Sequence, residues 1–427
     1  MLEVFSALQS SFVAILITVC GIYLTLKTKA FQFRKMGKML ATVFPFGKKS
    51  GKSDGMRPFA AMSAALSGTM GTGNIVGVGI AISCGGAGAV FWMLAASFLC
   101  MIIKYAETYL AVQYRVREAD GYKGGPMYYM KYGLKKLWRL SIVFCICCIF
   151  ASFLTGNLTQ SAAIAQCAEN TFNAPPLACG IVTALLCSYI IFSPMKRLGN
   201  FMSTAIPLLT AFFMFFCIGV IIINRSNFLY AVKEIMVSAF DISSISGGIG
   251  GFAVSSAMRE GFLKGLFTNE AGMGSSPIVH ASADDTTPEK QGLYGMAEVF
   301  FDTTIMCSIT GLAIVISGEH ISKNGALMLQ NALVSSFGNI GGIFCTAAIF
   351  MFAACSIVTW SHYGTAAVSF LCKSKGSVVI YRVIFCIVIV AGAVTDISKL
   401  FCVSDILNGL MVILNIISII LLFNSNS

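Results

Sequence analysis

Charge is what this sequence has least of. Only 11% of its 427 residues are Asp, Glu, Lys or Arg and 57% are apolar, against roughly 25% charged in a soluble globular domain. A chain so poor in charge cannot dress a water-exposed surface, which excludes an ordinary soluble enzyme. Histidine is scarcer still, with three residues, His280, His320 and His362, far apart in the chain. No HExxH or similar zinc spacing occurs, so an intramembrane metalloenzyme is not expected. The opening "MLEVFSALQS" holds Glu3 and no lysine or arginine, and so lacks the basic region of a signal peptide; the first apolar segment is expected to remain in the chain. The sixteen cysteines lie mostly inside apolar runs, where a thiol behaves as a small hydrophobe. The CxxC spacing of Cys145 and Cys148 has no histidine nearby and reads as packing rather than redox or metal chemistry.

Long apolar runs are abundant. Eleven begin near Ser11, Pro58, Gly88, Leu140, Pro176, Leu198, Gly247, Gly292, Ile340, Val378 and Cys402, each about the 20 residues a helix needs to cross ~30 Å of hydrocarbon. Barrel strands would be half as long and would alternate. The expected fold is therefore an all-α polytopic membrane protein of about eleven transmembrane helices. Its net charge of +11 could suggest nucleic acid or anionic lipid, but the distribution says otherwise. Nine basic residues fall between Lys27 and Arg57 and seven between Arg115 and Arg139. Lys196, Arg197, Lys290, Lys373, Lys375 and Arg382 also fall in alternate loops, all on one side of an eleven-helix arrangement. That is the positive-inside bias, predicting an outside N-terminus and a cytoplasmic C-terminus, with no nucleic-acid partner.

Two of the eleven runs are interrupted. The second contains "SGTMGTGNIVG", Ser67 to Gly77, and the seventh contains "GLFTNEAGMGSSP". With the first helix set aside, ten remain and divide five plus five, each half opening on a glycine-interrupted helix. That pattern points to an inverted-repeat transporter with discontinuous helices 2 and 7 and a midplane site. The expected division is one membrane domain over 1–427: an extra helix and basic loop (1–57), a first repeat (58–222) and a second (247–424). Phe228 to Phe240 and Ala326 to Phe337 are too short or too polar to cross and read as surface helices.

Backbone that leaves helical geometry at membrane depth is tolerated only where protein or a water-filled cavity satisfies it. At the first break the following half-helix offers N–H groups and a positive dipole end, suited to a carboxylate. The preceding half-helix offers carbonyls, with the hydroxyls of Ser67, Thr69 and Thr72, suited to Na⁺ or an ammonium. A small zwitterion matches both ends, and Asn74 could add one amide contact. Gly73 and Gly77 also form a GxxxG packing element, the alternative reading.

Further polar groups lie within spans, where they are costly and face the bundle interior or a cavity. Lys104 and Glu107 share a helix face and would neutralise each other. Glu260 and Lys264 have the i,i+4 order of an ion pair, and with Arg259 would either pair internally or serve in gating. Gln160 and Asp302 are further polar groups of this kind. Ser356 and Thr359 share a face and would either complete a Na⁺ shell with the first break or bond back to their own helix.

The motifs "ALSGTMGTGNIVGVGIAISCGGAGAVFWM", "KYAETYLAVQYR", "GGPMYYM", "GLFTNEAGMGSSPIVHASA", "QGLYGMAEVFFDTTIMCSITGL" and "TWSHYG", in this order, resemble the alanine or glycine:cation symporter family of prokaryotic carriers. The similarity runs over roughly residues 10 to 420. It departs at Met70, at "GGAGA" and at His362, where the family more often has valine, "GGPGA" and tyrosine. The resemblance implies a leucine-transporter-type five-plus-five inverted repeat and Na⁺- or H⁺-coupled uptake of alanine or glycine in a prokaryotic plasma membrane, with no further cofactor. It implies that Gly71, Thr72, Gly73 and Asn74 line the substrate, that Gln160 contacts its carboxylate, that Phe267, Gly272 and Met273 line the pocket, and that Trp360 limits side-chain size. Na⁺ would sit among Ser67, Met70, Ser356 and Thr359. The rival reading is a channel with "GTMGTGN" as its filter, disfavoured because the second break is not a symmetric copy of the first.

Overall fold

The computed structural model describes residues 2–44, 55–118, 121–240, 256–321, 324–395 and 398–423. Among them eight helices are long and apolar enough to cross a membrane: Gln9–Lys27, Ala89–Gln113, Leu140–Phe172, Lys196–Ile223, Pro288–Ile316, Asn339–Leu371, Lys375–Val394 and Val403–Leu422. Three of the eleven expected segments take another form. Pro176–Ile191 is an apolar helix of only 16 residues. The segment from Pro58 divides into Pro58–Thr69 and Val76–Gly85. The segment expected from Gly247 is described from Ser256 onward, as Ser256–Thr268 followed by Ser276–His280; Gly247 itself lies outside the described residues.

Proline sets several helix starts, at Pro58, Pro126, Pro176, Pro277 and Pro288, where its missing N–H costs no hydrogen bond and its fixed φ suits the first turn. Thr287 caps Pro288–Val299 by accepting from the Lys290 N–H at 3.3 Å. The two segments expected to lie on the surface are the helices Phe228–Ala239 and Met328–Phe337. The only strands among the described residues form a small antiparallel hairpin, Val116–Glu118 with Gly121–Lys123.

Burial separates inner from outer helices. Ala89–Gln113 packs against Pro288–Val299 and Ser256–Thr268, and Asn339–Leu371 packs against Leu140–Phe153, Thr159–Phe172 and Pro58–Thr69. Pro176–Ile191 and Met195–Ile223 instead expose Ile181, Leu185, Leu208, Phe212 and Phe215. In water that continuous apolar face would aggregate; against acyl chains it costs nothing. The N-terminal helix lies along the last one, where Gln9 Nε2 donates to the Ile406 carbonyl at 2.8 Å.

Below the inner helices, Arg115 ties the hairpin to the loop after the second broken helix. Its guanidinium lies 3.8 Å from the Tyr122 ring centroid and donates to the carbonyls of Ala281, Ala283 and Thr286. Burial holds that guanidinium below the usual arginine range, with Tyr122 and Asp284 acting in the opposite sense.

Candidate functional site

The first break begins where Pro58–Thr69 stops. Met70 has φ −72° and ψ 74°, Gly71 has φ −114° and ψ −142°, and a single 3₁₀ turn over Thr72–Asn74 leads into Val76–Gly85. The Thr72 N–H finds its acceptor off the backbone, at Gln160 Oε1, 3.3 Å away. A β-carbon on Gly71 would stand 2.9 Å from the same oxygen, so glycine there lets Gln160 approach the backbone this closely. Gln160 follows a π-helical turn, Leu154–Leu158, a distortion frequent at functional sites.

One turn before Gln160, Gly156 lies directly against Trp360, which is 1% exposed. Trp360 meets Tyr363 edge-on, with ring centroids 5.3 Å apart. The Tyr363 hydroxyl points at Gly68 and has no hydrogen-bond partner among the described residues. On the same helix Thr359 Oγ1 and Ser67 Oγ are 2.6 Å apart, and Ser356 Oγ donates to the Gly68 carbonyl at 3.1 Å. Both hydroxyls thus reach across to the first broken helix, whereas Ser361 bonds back to its own, to Val358 O at 2.7 Å. Met70 is fully buried, its sulfur accepting from Thr210 Oγ1 at 3.4 Å.

Gly71, Thr72, Gln160, Trp360, Ser67, Ser356 and Thr359 are thus linked through one chain of contacts around the first break. Gly73 and Gly77 both face Thr268, where β-carbons would lie 3.5 and 3.9 Å from its side chain. The GxxxG face therefore seats the end of the second broken helix, beside half-buried Phe267. Gly272 and Met273 stand apart. At Gly272, with φ +81°, the nearest neighbours are Ile416 and Ile103, and its carbonyl accepts from Asn415 Nδ2 at 2.9 Å. Met273 is buried and its N–H donates to the Glu270 carbonyl at 3.1 Å.

Asn74 turns away from the break. Its amide nitrogen donates to Asp302 Oδ1 at 2.9 Å and to the Asp302 carbonyl at 3.0 Å, while its own Oδ1 has no hydrogen-bond partner among the described residues. Asp302 sits in a second π-helical stretch, Phe300–Cys307, and accepts from Thr303.

The sequence pattern of the sodium:alanine symporter family matches residues 1–426. The chain belongs to that family. An uncharacterized transporter of Haemophilus influenzae is 36% identical over 410 residues, covering 95% of this chain and 89% of the relative. The sodium/alanine symporter AgcS of Methanococcus maripaludis is 32% identical, covering 96% and 91%. A probable sodium/glutamine symporter, GlnT of Bacillus subtilis, is also 32% identical, covering 97% and 86%. Among solved structures, a Na⁺-coupled sialic acid symporter superposes with a TM-score of 0.62 at 13% identity, over 97% of this chain and 86% of that one. The transporter MhsT bound to L-phenylalanine gives 0.55 at 14% identity, over 89% and 91%. The fold is thus of the leucine-transporter type. The symporter is an integral membrane protein that carries an amino acid with a cation, not an enzyme.

A second polar centre of the symporter was only partly legible. Lys104 and Glu107 do pair, at 3.2 Å, but Lys104 also lies 3.6 Å from Glu298 Oε1, and all three are buried. Lys104 donates to Ser276 Oγ at 2.9 Å and to the Glu270 carbonyl at 3.3 Å. Glu298 is bound at 2.9 Å by His280. Glu298 escaped the sequence reading because its run "GMAEVFF" looks like any apolar helix with one acid; the one available signal was an ionisable residue within a span. Glu260 pairs with Arg259, at 2.9 Å, rather than with Lys264 in the expected i,i+4 arrangement.

Proposed function

We propose that this protein imports a small neutral amino acid, alanine or glycine, together with Na⁺. The observation that carries the reading is the polarity of the first break. At one end hydroxyls and a carbonyl converge from two helices, in the Ser67–Thr359 and Ser356–Gly68 contacts. At the other end the Thr72 N–H takes a side-chain oxygen, from Gln160. The first end suits a hard cation, with Met70 adding its carbonyl. The second suits a carboxylate, held by Thr72, Gln160 and the neighbouring backbone of Gly71, Gly73 and Asn74. Trp360 closes the side-chain end, with Phe267 contributing to the wall from the second broken helix.

Na⁺ orders the first break and so raises affinity for the amino acid; the loaded site then opens inward as one group of helices rocks against the other. Membrane potential assists, since one charge crossing 100 mV is worth about 2.3 kcal/mol. Residues 58–222 and 247–424 act as the two halves of the repeat, preceded by 1–57. The chain resides in a prokaryotic plasma membrane with its N-terminus outside and its basic loops and C-terminus in the cytoplasm.

Uptake of labelled alanine and glycine into proteoliposomes under a Na⁺ gradient tests the reading. Accumulation that needs inward Na⁺ and saturates supports it. Accumulation driven equally by a proton gradient without Na⁺ makes the proton the coupling ion. Uptake of glutamine in preference to alanine moves the substrate toward that named for the Bacillus subtilis relative.

A further inference from the structure

The polar centre around Lys104 lies outside the proposed substrate and cation cluster. It joins the second break to the helices that carry Lys104, Glu298, Tyr129 and Asn415. Glu107 accepts from Asn415 Nδ2 at 2.9 Å, and Asn415 accepts from the Tyr129 hydroxyl. The Glu270 carboxyl, on a residue with φ +51°, accepts from Ser275. Such a backbone is strained for a residue with a β-carbon and persists only where its surroundings enforce it.

His280 is held at both ring nitrogens. Gln291 Oε1 accepts from Thr286 Oγ1 at 3.0 Å, and Gln291 Nε2 lies 3.4 Å from the Pro58 carbonyl and 2.8 Å from His280 Nδ1. His280 Nε2 lies 2.9 Å from Glu298 Oε2. Three buried carboxyls, Glu107, Glu270 and Glu298, therefore face two basic side chains, Lys104 and His280.

The other titratable groups facing this set are Cys20 on the first helix, Cys100 on the Lys104 helix, Tyr129, Cys148, Asp302 and Tyr363. Thiols, phenols and a further carboxyl bring no positive charge. Glu107 Oε1 and Glu298 Oε1 both face the one Lys104 ammonium, at 3.2 and 3.6 Å. Fully ionised, the set would hold at least one uncompensated charge out of water, a penalty of several kcal/mol that proteins relieve by binding a proton.

We propose that this network is a proton-binding site built around the second break, with at least one of Glu107, Glu270 and Glu298 protonated in this conformation. The proton is shared by coupled carboxyls rather than owned by one. Lys104, Glu298 and the Ser276–His280 half-helix stand on three separate elements, so movement of the half-helix during transport changes which carboxyl Lys104 compensates and hence how many protons the site holds. That second half of the inference rests on the alternating-access reading above; the protonation itself does not.

Infrared spectroscopy of the purified full-length protein at neutral pH tests it. The expected result is a protonated-carboxyl band in the wild type that shrinks or moves in at least one of Glu107→Gln, Glu270→Gln and Glu298→Gln, and that changes when Na⁺ and alanine are added. Absence of any such band in the wild type from pH 6 to 8 overturns the site, whatever the variants do. A band that persists unchanged in all three variants assigns the proton elsewhere and also overturns it. A band untouched by added alanine, in protein that transports alanine, overturns the link to transport. If alanine is not transported while the band is present and variant-sensitive, the substrate reading fails and the proton site stands.

Discussion

Ser67 and Thr359, 292 residues apart in the chain, join their hydroxyls at 2.6 Å in the buried interior. Neither residue uses its hydroxyl merely to satisfy itself, although Ser67 also donates to the Ala64 carbonyl at 2.7 Å. Two oxygens from two helices are thereby fixed beside the last carbonyls of the first half-helix.

Removing one of them should weaken the cation and leave the amino acid range alone. Thr359→Val keeps the shape and deletes one ligand; loss of about 1.4 kcal/mol raises the Na⁺ concentration for half-maximal alanine uptake about tenfold. A Na⁺ titration of uptake in proteoliposomes reads this directly. An unchanged half-saturation would place the cation elsewhere.

Gln160 is expected to carry a charge-assisted contact to the substrate. Gln160→Ala should lower alanine uptake at subsaturating substrate by roughly 10- to 100-fold, corresponding to about 1.5–3 kcal/mol. Gly71→Ala should fall in the same direction, because its new β-carbon crowds Gln160 Oε1. Uptake rates normalised to inserted protein provide the measurement.

Trp360 should set the size limit. Trp360→Ala is expected to let larger neutral amino acids, such as leucine or glutamine, compete with labelled alanine at concentrations where they fail against the wild type. Gly156→Ala, which drives a methyl group into the indole, should lower alanine uptake without widening the range. A competition panel that is identical in Trp360→Ala and wild type would place the indole away from the substrate side chain.

Asn74 is predicted to matter through Asp302 as well as through the substrate. Asn74→Ala leaves the fully buried Asp302 carboxyl without its amide donor, a loss of about 1–3 kcal/mol. The variant should insert, melt at lower temperature in detergent and transport little alanine. Adding Asp302→Ala should recover part of the melting temperature but not the transport, a non-additivity that a thermal-shift series would detect.

Arg115→Ala should destabilise the protein without touching the substrate site. It deletes donors to three carbonyls of the loop after the second broken helix, and the cation–π contact with Tyr122. A cost of about 1–3 kcal/mol is expected. Arg115→Lys should recover only part of it, since an ammonium cannot reproduce the planar fork. Melting temperature read alongside the Na⁺ dependence of uptake separates the two effects.

Much of this architecture is local in the chain and so was legible there. Apolar run length sets which segments can be membrane helices, and the glycines of "SGTMGTGNIVG" and "TNEAGMGSS" set where two of them break. The motifs around those breaks identified the family without any fold. What the sequence could not supply is which side chains face one another. In a membrane protein the lipid side and the core side of a helix are both apolar, so a helix such as Asn339–Leu371 carries no pattern that says how it is turned. The π-helical stretches Leu154–Leu158 and Phe300–Cys307 also rotate the residues that follow them off the ordinary helical period. Only the packed bundle decided that Thr359 meets Ser67, that Asn74 turns to Asp302, that Gly272 lies against Ile416, and that Lys104 is shared with Glu298. Such choices depend on the rotation and register of whole helices, settled by the joint burial of polar groups that cannot be left unpaired in a medium without water.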